Sequence, residues 1–163
     1  MIKRIAYILL GILLVAQLIQ PDRSVPVIDP AKDMLAMTNA PPDIRELVIG
    51  ACYDCHSYQT TYPWYGKLTP MNFIMQDHIN EGREVLNFSV WDQYTNSEAA
   101  GESGEEIVEG EMAPGYYKLM HGHGDLDAAQ QKKLVAWFNG LPGAKGENKV
   151  IGAGEKEGGE DQD

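Results

Sequence analysis

The sequence predicts a small, mostly helical domain whose helices are joined by long loops. Apolar residues recur at helical spacing in several stretches, and no stretch shows the alternation of apolar and polar residues that is typical of a strand. Proline and glycine are concentrated between those stretches, where they favour turns and irregular loops. The 163 residues are enough for one domain with a real core and hardly enough for two.

The N-terminal segment, residues 1–20, is a targeting or anchoring element that lies outside the fold. Lys3 and Arg4 are basic, and residues 5–19 are apolar apart from Gly11 and Gln17. As a helix this run would be roughly 23 Å long, which is shorter than the ~30 Å hydrocarbon core and suggests a signal peptide. No clean cleavage site follows, however, so we favour an uncleaved signal anchor. In both cases we expect the rest of the chain to be exported to the periplasm or the outer face of the cytoplasmic membrane.

The next segments lead into the domain, which we expect to span residues 31–142. Residues 21–30 carry three prolines and predict an extended tether. A short helical stretch is expected at 31–38. The Pro41-Pro42 pair then begins a helix whose apolar positions are Ile44, Leu47, Val48 and Ala51.

Three further helices are expected. Residues 70–86 have apolar positions at helical spacing, and Ile107 and Val108 indicate a helix through about 103–109. The last helix is capped by Asp125 or Asp127 and stopped by Gly140. Residues 143–163 consist mainly of Gly, Glu and Lys without a hydrophobic face, so we expect a disordered tail.

The charge of the chain excludes one class of partner. The formal net charge is −11, whereas a nucleic-acid surface would need a basic stripe. Residues 92–111 contain acidic side chains with no Lys or Arg between them. Such a run is usually a solvated helix face, and it would also steer a basic partner towards the protein.

The sequence CYDCH contains both cysteines of the chain, Cys52 and Cys55, followed by His56. A disulfide across so short a loop would stabilise little. A thioredoxin-like pair needs a βαβ context that is not visible here. Zinc needs four ligands, and the other histidines lie at no familiar spacing. The remaining interpretation is covalent attachment of haem, for which C-x-x-C-H is the signature.

The chemistry of haem attachment explains this spacing. Two thiols one helical turn apart can each add to a vinyl group on one edge of the porphyrin, and the adjacent imidazole is then brought to the iron as the proximal ligand. Expected export agrees with this, because haem is joined to c-type apoproteins outside the cytoplasm. Zinc binding and a redox dithiol remain the alternatives.

Four motifs occur in order along the chain: CYDCHS, TTYPWYGKLTP, DHINEGREVLNFSVW and IVEGEMAPGYYKLMHGHGDL. Together they resemble the bacterial haem-binding domain family of small c-type cytochromes, over about residues 29–140. Ala113 separates Met112 from Pro114 where that family pattern has Met-Pro. The resemblance implies a cytochrome c-like helical domain, with long loops around one covalently bound haem c.

The sixth iron ligand is expected to be Met112. Its Gly/Pro-rich loop resembles the distal methionine loop of class I cytochromes c, although a methionine there is also a suitable core filler. The main alternative ligand is His78, which lies in the predicted helix 70–86 and is otherwise a surface histidine. Other candidates are His121, Met120, Met71 and Met75.

Aromatic residues and one arginine are expected around the haem. Candidate wall residues are Tyr62, Pro63, Trp64, Trp91 and Trp137, each of which is equally plausible as an ordinary core residue. Arg83 is a candidate partner for a haem propionate, because a buried propionate needs a charged or hydroxyl partner. A surface arginine beside Glu81 and Glu84 is the alternative.

We therefore expect a mono-haem c-type cytochrome that carries single electrons, is exported and is tethered to the membrane. It is not expected to be an enzyme, and its partners are redox proteins with basic docking patches. The alternative is a haem enzyme or a gas or redox sensor whose sixth coordination position is open or labile.

Overall fold

The computed structural model describes residues 1–95, 97–112 and 125–144, and within these ranges the chain is helical and has no strand. The predicted mostly helical fold is therefore confirmed. The α-helices are α1 Ile2–Ala16, α2 Met34–Met37, α3 Pro42–Ala51, α4 Tyr53–His56, α5 Met71–Val85, α6 Ala99–Glu109 and α7 Ala128–Asn139. Short 3₁₀ turns lie at Pro30–Lys32, Trp64–Lys67 and Phe88–Gln93.

The core is formed by α2, α3, α6, α7 and the turn Phe88–Gln93. Met34, Leu35, Val48, Leu134 and Phe138 are almost completely buried there. Burial of each such side chain contributes about 1.5–3 kcal/mol relative to exposure, so this cluster dominates the stability of the domain.

Helices α6 and α7 pack against each other more extensively than any other pair in the described residues. Gly104 of α6 lies at this contact, where a Cβ would lie 3.1 Å from Oδ1 of the Asn139 side chain. The N-terminal turn of α6 is equally tight, with Ala99 and Ala100 buried. Helix α6 therefore begins earlier than the predicted residue 103, because tertiary packing buries small residues that carry little hydrophobic signal.

The predicted signals at helix ends correspond to real caps. Asp127, one of the two predicted caps, accepts a hydrogen bond from the N–H of Gln130, and the Gln130 side chain accepts from the Asp127 N–H. This reciprocal capping box satisfies two N–H groups that the helix leaves free. Gly110 ends α6 with a φ of 80°, in the left-handed region that glycine adopts without strain.

The N-terminal region consists of α1 and a non-helical segment that leads to Pro30. In the described part of the chain, no helix combines the length and apolar character that crossing a membrane requires. The segment 21–30 has an extended part, but Arg23 is fixed to the domain by a hydrogen bond from its guanidinium to the carbonyl of Gly66. The predicted tail lies outside the described residues from residue 145 onwards. Two candidate iron ligands, Met120 and His121, also lie outside the described residues.

Candidate haem site

The two cysteines lie one helical turn apart at the junction of α3 and α4. The N–H of Cys52 bonds to the carbonyl of Val48 at 2.9 Å, so Cys52 closes α3. The carbonyl of Cys52 then accepts from Cys55 N–H at 3.2 Å and from His56 N–H at 2.9 Å, which starts α4. These bonds wind the motif into one turn, in which Cys52 and His56 line a common cavity, whereas Cys55 is not in its lining and lies against Gly82 of α5.

Burial changes the acidity of both thiols. It raises the pKa of Cys52 to about 12 and that of Cys55 to about 11, and the two cysteines are not bridged. A redox-active pair would need the thiolate form at neutral pH. No group of three or more His, Cys, Asp or Glu side chains suited to a metal ion is found among residues 1–95, 97–112 and 125–144. The raised pKa values do not favour the dithiol alternative.

The imidazole of His56 is oriented by the backbone carbonyl of Leu86, the residue that follows helix α5. Its Nδ1 atom lies 3.0 Å from the carbonyl oxygen of Leu86, directly after α5. A carbonyl oxygen only accepts, so Nδ1 carries the proton of this hydrogen bond, and in the neutral imidazole Nε2 keeps its lone pair. The ring also lies 5.9 Å from that of Phe88, centroid to centroid. This arrangement is the one that a metal-ligating histidine usually has.

A cavity of about 370 Å³ lies beside this imidazole. Cys52, His56 and Met112 all line it, although Met112 lies 56 residues after His56 in the chain. Its apolar wall is formed by Leu86, Phe88, Ile107 and Phe138. The structure therefore brings the favoured sixth ligand to the same cavity as the proximal histidine and one cysteine.

Met112 is held at the cavity by its backbone. The N–H groups of Glu111 and Met112 bond to the carbonyl of Glu106 at 3.1 and 3.2 Å, just after the turn at Gly110. The Met112 side chain is 37% exposed. Met112 thus lines the cavity and is not buried as a core filler.

These residues fit a haem. Two thiols on one helical turn, an imidazole with a free Nε2 and an apolar cavity are the donor set and surroundings that covalent haem attachment needs. The opening of the cavity is acidic: Glu102, Glu105, Glu106 and Glu109 of α6 line it and are all exposed. The predicted acidic run is therefore a solvated face at the mouth of the cavity.

Arg83 does not line this cavity but braces the loop that follows His56. Its Nε donates to the carbonyl of Ser57 at 2.7 Å, and its Nη2 donates to Oγ1 of Thr60 at 2.9 Å. Its guanidinium also lies 5.2 Å from the centre of the Tyr58 ring. These contacts support a structural role for Arg83 in place of the predicted propionate contact.

The predicted wall residues also lie away from the cavity lining. The hydroxyl of Tyr62 donates to the Gln76 side chain at 2.7 Å, and Trp64, beside Pro63, is 74% exposed. Trp91 is buried in the core, and Trp137 packs on Phe138 with ring centres 5.0 Å apart.

Three candidate sixth ligands lie on α5, outside the cavity lining. They are His78, Met71 and Met75.

A buried network of hydrogen bonds holds Tyr53, the first residue between the two cysteines. The sequence alone did not reveal this network. The Tyr53 hydroxyl donates to Oδ1 of Asp33 at 2.7 Å, and the Gln59 side chain donates to Oδ2 at 3.1 Å. Burial, with the bond to Asp33, raises the pKa of Tyr53. The network joins α4 to the cap of α2, because Asp33 also accepts from the N–H of Leu35.

Comparison with known proteins identifies a family. The sequence profile described as "Haem-binding domain" matches residues 11–140, which is most of the chain. Searches of curated proteins and of solved structures give no match. With the cysteine and histidine turn, the oriented imidazole and the apolar cavity, this match shows that the chain belongs to the Haem-binding domain family.

Proposed function

We propose that the protein is an exported mono-haem c-type cytochrome that carries single electrons, with His56 and Met112 as axial ligands. One observation carries the proposal: Cys52, His56 and Met112 line one apolar cavity, and His56 presents a free Nε2 to bind iron. A bound haem iron would supply the one-electron chemistry.

The chain would contribute attachment and ligation. Cys52 and Cys55 would hold the haem through two thioether bonds, each formed when one S–H adds across one vinyl C=C with no leaving group. Nε2 of His56 would bind the iron, and the hydrogen bond from Nδ1 to the Leu86 carbonyl keeps the ring in place and increases its basicity. The Met112 thioether would be the second iron ligand from the chain, and Phe88, Ile107 and Phe138 would form an apolar wall beside the haem.

The acidic mouth supports exchange of electrons with a basic partner. Exposed carboxylates on α6 surround the opening, so a cationic surface would be attracted to the part of the protein nearest the haem. Export is proposed from residues 1–20, in which two basic residues precede an apolar run. Single-electron transfer at this mouth requires no catalytic side chain.

Absorption spectra of the purified protein test the function. We expect a low-spin haem in both the oxidised and the reduced state, unchanged by cyanide or carbon monoxide. Met112→Ala should give a ligand-binding, high-spin iron, whereas His78→Ala should leave the spectrum unchanged. A wild-type iron that binds these ligands would instead indicate the enzyme or sensor alternative. Loss of the low-spin spectrum in His78→Ala would contradict the Met112 assignment.

A further inference from the structure

The end of the N-terminal helix is fastened to the start of α5. The Gln17 side chain makes two bonds with the backbone of Thr69: its Nε2 donates to the carbonyl at 3.2 Å, and its Oε1 accepts from the N–H at 2.9 Å. The Asn72 side chain donates to Oε1 of Gln20 at 3.0 Å. Because Gln17 and Gln20, which directly follow α1, are both bonded to the domain, α1 leaves the domain at a defined position.

Arg23 strengthens this attachment further along the chain. Its Nη2 donates to the carbonyl of Gly66, and its guanidinium carbon lies 4.2 Å from the centre of the Tyr62 ring. The loop 62–66 (YPWYG) thus contacts the segment that follows α1. The segment 17–23 and the loop 62–72 form one unit.

Helix α1 presents apolar side chains on every side. None of its residues is buried in the described part of the chain, and Ile2, Tyr7, Ile12 and Val15 are each more than half exposed. A soluble monomer rarely leaves so large a continuous apolar surface in water. An apolar helix with basic residues at its start is the kind of element that enters a lipid phase.

A second apolar surface lies beside the point where α1 leaves the domain. Trp64 is 74% exposed, Leu68 46%, Met71 43% and Ile74 47%. Met71 and Ile74 are three residues apart on α5 and therefore share one helix face. Leu68 lies next to Thr69, which holds Gln17, so this surface begins beside the residue to which the end of α1 is attached.

The charge of this region differs from that of the rest of the protein. From Ser57 to Gln76 the only charged residue is Lys67, whereas the whole chain has a net charge of −11. Two exposed carboxylates border this stretch, Asp77 one turn after Ile74 and Asp22 beside Arg23. An acidic protein approaches anionic lipid most readily through a surface with few carboxylates. Tryptophan is enriched at the membrane–water interface, where an exposed Trp64 would lie.

We propose that the surface of Trp64, Leu68, Met71 and Ile74 rests on a phospholipid bilayer beside α1, and that this contact orients the haem domain. The proposal uses the export proposed above and is independent of the iron ligands. Helix α5 runs from Met71 at this surface to Val85, which lines the haem cavity. These two ends are about 20 Å apart, so the acidic mouth remains in water, where redox partners can reach it.

Photolabelling in vesicles tests this contact. The full-length, haem-loaded protein would be added to phosphatidylcholine–phosphatidylglycerol vesicles that contain a lipid with a diazirine near the headgroup. After illumination, trypsin would separate three informative peptides: 5–23 from α1, 68–83 from the proposed surface and 84–118 from the acidic mouth. We expect label on 5–23 and 68–83, with 84–118 at background.

Matched variants provide the control. Ile74 and Ile49 are 47% and 51% exposed and both lie in helices, but only Ile74 belongs to the proposed surface. Ile74→Gln should reduce the labelling of 68–83 to background, and Ile49→Gln should not change it. Both variants should keep the wild-type haem spectrum, which separates this test from that of electron transfer.

Two results would overturn the proposal. In the first, peptide 5–23 is labelled but the labelling of peptide 68–83 is no higher than that of peptide 84–118. This result would mean that α1 meets lipid and the domain does not. The other is a lipid-independent dimer that Ile74→Gln dissociates, because a second copy would then cover the surface.

Discussion

The Nδ1 atom of His56 lies 3.0 Å from the carbonyl oxygen of Leu86, so the proposed proximal ligand is oriented by the residue that directly follows α5. A displacement of α5 from α4 would therefore rotate the imidazole. Gly82 controls that separation, because a Cβ there would lie 3.0 Å from the carbonyl oxygen of Cys55 and 3.3 Å from its Cβ.

Gly82→Ala is expected to impair the site. Alanine favours a helix by about 1 kcal/mol over glycine, but here its methyl group meets the backbone of the attachment turn, so we expect a net loss of about 1 kcal/mol. Thermal unfolding and the covalent haem content per chain measure the effect. Gly104→Ala is the control, because its nearest neighbour is the Asn139 side chain, which can move. Equal or greater loss in Gly104→Ala would refute the explanation.

Arg83→Gln should destabilise the protein without changing its reduction potential. The substitution removes the bonds to Ser57 and Thr60, and we expect a loss of about 1–3 kcal/mol in the free energy of unfolding. Arg45→Gln removes one similar bond to the Leu35 carbonyl and should cost less. Denaturant unfolding and potentiometry measure the two quantities. A clear shift of potential in Arg83→Gln would instead support the contact with a haem propionate.

The contacts of His56 and Arg83 show how much of the site the sequence reveals. Cys52, Cys55 and His56 share one turn because they lie within five consecutive residues, and this spacing is visible in CYDCH. The partner of Arg83 depends on where the loop 57–60 runs, which tertiary contacts decide. The Leu86 carbonyl could not be predicted, because a backbone group carries no sequence signature.

Tyr62 and Trp64 show the same limit of prediction from sequence. Tyr62 and Trp64 have the composition of a haem wall, but composition does not indicate which surface a side chain meets. In the structure Tyr62 contacts Arg23 and Gln76, and Trp64 faces outwards. Met112, by contrast, was expected from the resemblance of its Gly/Pro-rich loop to a distal methionine loop; it lines the cavity, and its binding to iron stays a prediction.

Tyr53→Phe should lower the stability by about 1–3 kcal/mol at neutral pH, because Asp33 loses a buried donor. The pKa of Tyr53 is raised in the folded state, so its contribution is complete below the unfolded value of about 10 and is lost as the pH rises above it. Wild-type stability should therefore fall more steeply above this pH than that of Tyr53→Phe. Urea unfolding across the alkaline range measures both curves, and parallel curves would contradict the assignment.

The acidic mouth predicts a dependence on ionic strength. Reduction by a small cationic complex should slow as salt is added, because salt screens the carboxylates of α6. The double variant Glu102→Gln/Glu105→Gln should slow it about two- to fivefold at low salt. Glu46→Gln on α3, away from this mouth, is the control and should have little effect. Stopped-flow rates that do not change with salt would exclude steering.

The mass of the denatured, purified protein is the most direct test of the central claim, that Cys52 and Cys55 hold one haem. The account predicts that the polypeptide retains the mass of one haem after unfolding and acid–organic extraction. Replacing both cysteines by alanine should abolish this added mass. A wild-type chain that releases its haem on extraction, or that never carries one, would contradict the account.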